Sequence, residues 1–109
     1  MDLVNQKCEP CEGGVKPLNH EEIAPYLANV KDWKVEDKGK KIEKKLKFKD
    51  FKESLDFVNK VGEIAESEGH HPDIELGYGK VEIKLTTHAI GGLSVNDFIL
   101  AAKIDQLVQ

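Results

Sequence analysis

The chain of 109 residues is long enough for one domain with one modest core. Hydrophobic residues make up 39% of it and charged residues 33%, a balance typical of a globular protein rather than a disordered one. All 16 basic residues are lysine and the net charge is -4, which argues against a nucleic-acid partner and against an arginine clamp for phosphate groups.

The N-terminal residues are polar and lack the apolar core of a signal peptide. No apolar run approaches the ~20 residues that are needed to span a bilayer. We therefore predict no membrane partner and a cytoplasmic location, where the two cysteines are thiols by default.

The first 17 residues are rich in proline and glycine, and we predict a loop-like lead segment, 1–17, before a domain that covers 18–109. The motif Cys8-x-x-Cys11 supplies only two of the four ligands of a structural zinc site, and His20 is the only histidine nearby. We favour a plain loop over a metal site for this segment.

A short first helix is predicted over about 20–28, because Asn19 and Glu22 have the spacing of a capping box. Pro25 lies inside this segment and either bends the helix or shifts its start.

A first hairpin follows. Trp33 to Val35 begins a strand, residues 37–40 form a turn, and residues 41–48 alternate as expected for a strand with one solvent-exposed face. Lys44 interrupts the apolar set of this strand, which favours a position at an edge or rim.

A long helix is predicted over 51–68, with Asp50 as its N-cap and Gly69 in the left-handed position that ends it. Its apolar residues recur at helical spacing. They are Phe51, Leu55, Val58, Val61, Ile64 and Ala65.

A second hairpin runs from Ile74 to Leu85 through Gly77-Tyr78-Gly79, and a final helix begins with Ser94 as its N-cap. The order is therefore α-β-β-α-β-β-α. This order predicts an α+β fold with a four-stranded, antiparallel sheet and helices packed on one face.

Three histidines and two carboxylates occur close together in the second half of the chain. They are Glu66, His70, His71, His88 and Asp97. The hairpin places the start of its first strand beside the end of its second, and the two flanking helices begin or end there. We therefore predict that all five side chains surround one rim of the sheet, a pattern that favours proton transfer or metal binding.

Three chemistries could use such a rim: acid/base catalysis, a zinc site with three histidines, or nucleophilic catalysis. No serine or cysteine accompanies a histidine convincingly, and adjacent His70 and His71 point to opposite faces of an extended chain. Taken singly, Asp97 is explained as a helix-capping carboxylate, Glu66 as a solvated helix residue and His88 as a surface residue. Their convergence favours the acid/base site.

This set of residues resembles the signature of the pterin-4a-carbinolamine dehydratases, through Glu66-x3-His70-His71-Pro72, then Tyr78, His88 and Asp97. The resemblance runs from about residue 18 to residue 107 and includes Trp33, residues 48–51 and residues 92–94.

The resemblance implies an enzyme that dehydrates 4a-hydroxytetrahydropterin to quinonoid dihydropterin and water, in the recycling of tetrahydrobiopterin. Members of the family use no metal and no organic cofactor, so none is implied here. They form dimers through sheet edges, which pair into tetramers, so a homodimer or homotetramer is also implied.

The resemblance further implies the roles of residues. The implied catalytic set is His70, His71, His88 and Asp97, in which His70 and His88 serve as general acid/base groups, His71 chiefly contacts the pterin and Asp97 orients a histidine. Glu66 is implied to lie behind these residues, without contacting the substrate itself. The remaining residues implied to bind substrate are Pro72, Thr87, Ala89, Ile90 and Trp33.

Two features leave alternatives open. Ala89-Ile90 stand where members of the family often carry a polar or acidic residue, so the polar contacts of the pocket there are undetermined. The lysine-rich stretch 38–52 reads as a solvated strand face rather than a nucleic-acid site, because acidic residues interrupt it.

The enzyme is the first of three candidate functions. A binding module, of the kind that stabilises a transcription factor's dimer in animals, ranks second, and a histidine-based metalloprotein ranks third.

Overall fold

The computed structural model describes residues 1–10 and 15–108, so that Cys11 lies outside the described residues. Its helices and strands follow in the predicted order. They are α1 (His20–Leu27), β1 (Lys34–Glu36), β2 (Lys41–Lys47), α2 (Phe51–Glu68), β3 (Asp73–Gly77), β4 (Lys80–Leu85) and α3 (Val95–Asp105). Short 3-10 turns cover Asp37–Gly39 and His88–Ile90.

The four strands form one antiparallel sheet in the order β1-β2-β4-β3. Alternate residues of the central strands are buried against the helices, and Ile42, Ile83 and Leu85 are each 0% exposed. The residues between them are charged and lie on the opposite face, because strand side chains alternate. The α+β fold with helices on one face is therefore confirmed.

The long helix α2 begins and ends where its capping residues predict. Asp50 Oδ1 accepts a hydrogen bond from the backbone N–H of Glu53 at 2.9 Å, and Gly69 adopts a left-handed conformation with φ of 65°. A left-handed φ of this kind favours glycine because it has no Cβ. The chain therefore turns sharply at the helix end and enters β3 through His70 and His71.

The buried face of α2 includes only part of the set of apolar residues that recur at helical spacing. Its buried residues are Ser54, Phe57, Val61 and Ala65. Phe51 and Leu55 are instead 45% and 38% exposed. At the start of the helix the apolar spacing therefore does not mark the buried face.

Helix α3 is the most buried element of the molecule, and Phe98, Leu100, Ala101 and Ile104 are all 0% exposed. Ser94 and Asp97 form the predicted capping box at its start. No helix within residues 1–10 and 15–108 has both the length and the apolar character needed to cross a membrane.

Lys44 lies on a central strand and is buried, so the prediction of an edge or rim position was wrong. Its ammonium group forms an ion pair with Asp105 Oδ1 at 2.7 Å. Asp105 also accepts hydrogen bonds from the indole N–H of Trp33 at 2.8 Å and from the backbone N–H of Lys31 at 2.8 Å. A charge in this position is tolerated because the carboxylate and the Trp33 ring surround it.

We expect Asp105→Ala to reduce the free energy of unfolding by about 3 kcal/mol, because it leaves a buried ammonium group and an indole N–H without their acceptor. Urea unfolding followed by circular dichroism measures this change. Asp56→Ala is the matched control, since it breaks an exposed ion pair with Lys52 and should change stability by less than about 0.5 kcal/mol. Equal effects of the two variants would contradict the structural role of Asp105.

Candidate active site

Two neighbouring strand ends bring the histidines together. In the register of β3 and β4, Asp73 lies opposite Lys84, so the residues before Asp73 run beside those after Lys84. His70 and His71 precede β3, and His88 begins the turn that follows β4. The three histidines therefore meet at one end of the sheet, where they line a single cavity of about 410 Å³.

Four stretches of chain form the wall of this cavity. They are residues 8–10, residues 68–71 at the junction of α2 and β3, residues 86–89 after β4, and Asn96 in the first turn of α3. The cavity is thus built where the ends of two helices meet one end of the sheet.

A buried carboxylate holds His70. Asp97 is 0% exposed, and its Oδ1 lies 2.6 Å from Nε2 of His70. Its Oδ2 accepts hydrogen bonds from the Thr87 hydroxyl at 2.8 Å and from the backbone N–H of Ser94 at 3.0 Å. Asp97 therefore caps α3 and orients a histidine at the same time.

The hydroxyl groups around Asp97 have a determined direction of donation. A carboxylate only accepts, so the Thr87 hydroxyl gives its single proton to Asp97. It must then accept from the Ser94 hydroxyl, whose oxygen is 2.8 Å away and itself accepts from the backbone N–H of Asn96. The network is fully paired and leaves no freedom to rotate the carboxylate.

The same reasoning determines the tautomer of His70. Because Asp97 accepts, Nε2 of His70 carries a proton, and Nδ1 of the neutral ring is left as a proton acceptor. His70 is 12% exposed at its side chain, so this basic nitrogen belongs to a largely enclosed group.

The other two histidines are more accessible. Nε2 of His71 lies 2.5 Å from Oε2 of Glu66, and both side chains are exposed to solvent. His88 is exposed, and its ring has no hydrogen-bonding side chain within the described part of the chain. The cavity thus combines an enclosed imidazole fixed by Asp97, an exposed one paired with Glu66, and His88, whose ring no described side chain fixes.

Only some of the remaining residues predicted to bind a substrate line the cavity. Thr87 and Ala89 line the cavity. Pro72, Ile90 and Trp33 are not among the described residues that line it. The indole of Trp33 is buried and donates to Asp105 at the C-terminal end of α3, whereas Asp97 lies at the N-terminal end. Trp33 therefore packs in the core, and the expectation that it walls the cavity is not met in this chain.

Several cavity residues were missed by the sequence analysis. Cys8, Glu9 and Pro10 belong to the segment predicted to be a plain loop, and Asn96 and Glu68 lie on helices without a motif to mark them. Their roles depend on contacts between residues that are 60 to 88 positions apart, which no local pattern reveals.

Two of these residues, Cys8 and Glu68, have pKa values that are shifted by their surroundings. Burial, together with the charge of Glu68, raises the pKa of the Cys8 thiol to about 12. Hydrogen bonds from the Lys103 ammonium group and from the backbone N–H of Cys8 lower the pKa of the Glu68 carboxyl group. Cys8 is therefore a protonated thiol at neutral pH, and Glu68 an ionised acceptor.

A metal site was one of the alternatives that the histidine pattern left open. Within residues 1–10 and 15–108, no group of three or more histidine, cysteine, aspartate or glutamate side chains is arranged to hold a metal ion.

The sequence matches a known protein family along most of its length. A family model described as "Pterin 4 alpha carbinolamine dehydratase" matches residues 16–107. A relative from Nitrosospira multiformis is 49% identical over 108 residues, which span 99% of this chain and 94% of the relative. One from Methylococcus capsulatus is 47% identical over 105 residues, which span 96% and 92%. Both are described as "Putative pterin-4-alpha-carbinolamine dehydratase".

Solved structures share the fold. A protein from Brucella melitensis, described as a transcriptional coactivator/pterin dehydratase, superimposes with a TM-score of 0.81 at 28% identity over 86% of this chain and 100% of its own. A pterin dehydratase-like protein, described as a RuBisCO assembly factor in the alpha-carboxysome, gives a TM-score of 0.61 at 22% identity over 72% and 92%. The second likeness concerns the fold alone.

Proposed function

The chain belongs to the pterin-4-alpha-carbinolamine dehydratase family, and from this premise we propose that it dehydrates 4a-hydroxytetrahydropterin to quinonoid dihydropterin and water. The observation that carries the proposal is the cavity shared by His70, His71 and His88, with the buried carboxylate of Asp97 behind His70. Its volume of about 410 Å³ lies within the range of small-molecule sites and suits a flat bicyclic ring.

The reaction needs one proton donor and one proton acceptor. The bond between C4a and the hydroxyl oxygen breaks as the lone pair of the neighbouring ring nitrogen forms a C=N double bond. The oxygen leaves as water after it receives a proton, and a ring N–H proton passes to a base. The protons balance and no electrons are exchanged with the enzyme, so groups that titrate near neutral pH suffice.

We assign the base to His70. Its Nε2 is committed to Asp97, which leaves Nδ1 to accept the ring N–H proton. The imidazolium that forms is then paired at once with the Asp97 carboxylate, which stabilises the developing positive charge.

We assign the proton donor to His88. His88 lines the cavity from the segment that follows β4, whereas His70 lies between α2 and β3. The His88 imidazole is free to turn toward the departing oxygen. His71, held by Glu66 at the exposed side of the cavity, contacts the pterin, and Thr87 and Ala89 complete that part of the wall.

The partners that we propose are the pterin substrate and further copies of this chain. Strand β3 lies at an edge of the sheet and can pair with another strand through its backbone, as expected for a homodimer or for a homotetramer built from two such dimers. Recycling of tetrahydrobiopterin and a cytoplasmic location stay predictions.

A direct assay tests the proposed reaction. We expect the purified protein, treated with a chelator, to accelerate the conversion of 4a-hydroxytetrahydropterin to quinonoid dihydropterin, followed by absorbance against the spontaneous reaction. No acceleration would contradict the proposal. Tight binding of a dihydropterin without turnover would point instead to a binding module, in line with the coactivator role included in the description of the Brucella melitensis protein.

A further inference from the structure

The N-terminal residues 3–10, here called the strap, cross from the core to the histidine cavity. Leu3 is 3% exposed and packs into the hydrophobic core, which anchors one end of the strap. At the other end Cys8, Glu9 and Pro10 form one side of the cavity wall. The strap lies outside residues 16–107, which match the family model, so the family signature says nothing about it.

Asn96 fastens the strap through its side-chain amide. Its Oδ1 accepts from the backbone N–H of Glu9 at 3.0 Å, and its Nδ2 donates to the backbone carbonyl of Glu9 at 2.5 Å. The amide thus pairs with both polar groups of one residue, as a neighbouring strand would. Asn96 is 3% exposed, so these bonds are shielded from water.

Glu68 fastens the strap at the preceding residue. Its Oε1 accepts from the backbone N–H of Cys8 at 2.8 Å, and its Oε2 accepts from the Lys103 ammonium group at 2.7 Å. The carboxylate is ionised, which strengthens both hydrogen bonds. The strap therefore has two adjacent attachment points, on α2 and on α3.

The two attachment points lie beside the residues that hold the histidines. Asn96 precedes Asp97, which orients His70, and Glu68 is separated from His70 by Gly69 alone. Glu9 and Pro10 are themselves exposed, so their placement adds little apolar burial to the core. The buried Asn96 amide thus holds an exposed stretch of backbone at the cavity.

We propose that the strap is part of the pterin-binding site, and that Asn96 and Glu68 are positioning residues that hold it against the bound ring. The proposal rests on the proposed function, because it concerns the substrate of the same cavity. A preformed wall removes the cost of ordering a loop when the ligand binds and shields one side of the ring from water. Loss of the attachment should therefore weaken pterin binding and leave the proton transfers of His70 and His88 intact.

Asn96→Ala tests this division. We expect KM for 4a-hydroxytetrahydropterin and the Kd for 7,8-dihydrobiopterin to rise about tenfold, equivalent to about 1.4 kcal/mol, with kcat within about twofold of the unmodified protein. Glu68→Ala should act in the same direction. Asn29→Ala is the matched control, because its amide donates to Pro25 on the surface of α1, away from the cavity, and it should change neither constant.

A footprint on Cys8 provides a second readout that does not require a variant to fold. Saturating 7,8-dihydrobiopterin should slow alkylation of Cys8 in the unmodified protein at least about threefold. Because the thiol is largely protonated, the reaction is run without denaturant at mildly alkaline pH, over a long incubation with excess reagent, and is followed by peptide mass spectrometry. Unchanged constants in Asn96→Ala, or a fall in kcat alone, would overturn the proposal, as would an unprotected Cys8 in a protein that binds the pterin. Absence of turnover in the unmodified protein would count against the proposed function instead, since the Kd and the footprint report on the strap separately.

Discussion

Replacing His70 and His88 together by alanine should reduce dehydration of 4a-hydroxytetrahydropterin to the spontaneous rate. Each histidine alone is expected to contribute a factor of about 10² to 10⁴, the usual range for a positioned acid or base. The reason is that the two imidazoles line one cavity, where one can donate a proton to the leaving oxygen while the other accepts the ring N–H proton. Initial rates of formation of quinonoid dihydropterin, for the two single variants and the double variant, measure the effect.

The matched control is His20→Ala. His20 is exposed at the first position of α1 and does not line the cavity, so this variant should keep full activity. Urea unfolding of all variants checks that the fold is retained, because His70 and His88 contribute little to the core. A double variant that folds and retains more than about a tenth of the enzymatic rate would contradict the assignment of the acid and the base.

Asp97→Asn should separate catalysis from stability. The amide oxygen can still cap α3 and accept from the Ser94 N–H and the Thr87 hydroxyl, so we expect a loss of about 1 kcal/mol or less in the free energy of unfolding. The amide nitrogen then faces His70 and donates to its Nε2, which forces the proton to Nδ1 and removes the base. We expect kcat to fall by about a hundredfold or more.

Asp97→Ala removes both functions of the carboxylate. It leaves buried donors on Thr87, Ser94 and His70 without an acceptor, and we expect a loss of about 3 kcal/mol as well as the loss of activity. Asp50→Asn is the matched control for Asp97→Asn, because the Asp50 carboxylate also accepts from a backbone N–H at a helix start but has no hydrogen bond to a histidine among the described residues. Full activity in a folded Asp97→Asn variant would show that the tautomer of His70 does not matter.

The sequence predicts the elements of this fold well where the signals are local. Asp50 and Gly69 define the ends of α2, and Ser94 and Asp97 define the start of α3, because each acts on backbone groups within a few residues. The alternation along β2 and β4 indicates which face of the sheet is buried. The convergence of the histidines then follows from one hairpin and its two flanking helices.

The sequence does not predict features that depend on distant partners. Lys44 appeared unsuited to a central strand because its counter-ion, Asp105, lies 61 residues further along. The strap appeared to be a plain loop because its attachment points, Glu68 and Asn96, follow it by 60 residues or more. Side-chain partners of this kind become apparent only when the elements are packed.

A crystal structure of the protein with bound 7,8-dihydrobiopterin tests most directly whether the histidine cavity is the pterin site. We expect the bicyclic ring inside the cavity of about 410 Å³, with ring nitrogen or C4a atoms within about 3.5 Å of Nδ1 of His70 and of a His88 nitrogen. A pterin bound at another surface, or one that touches neither imidazole, would contradict it.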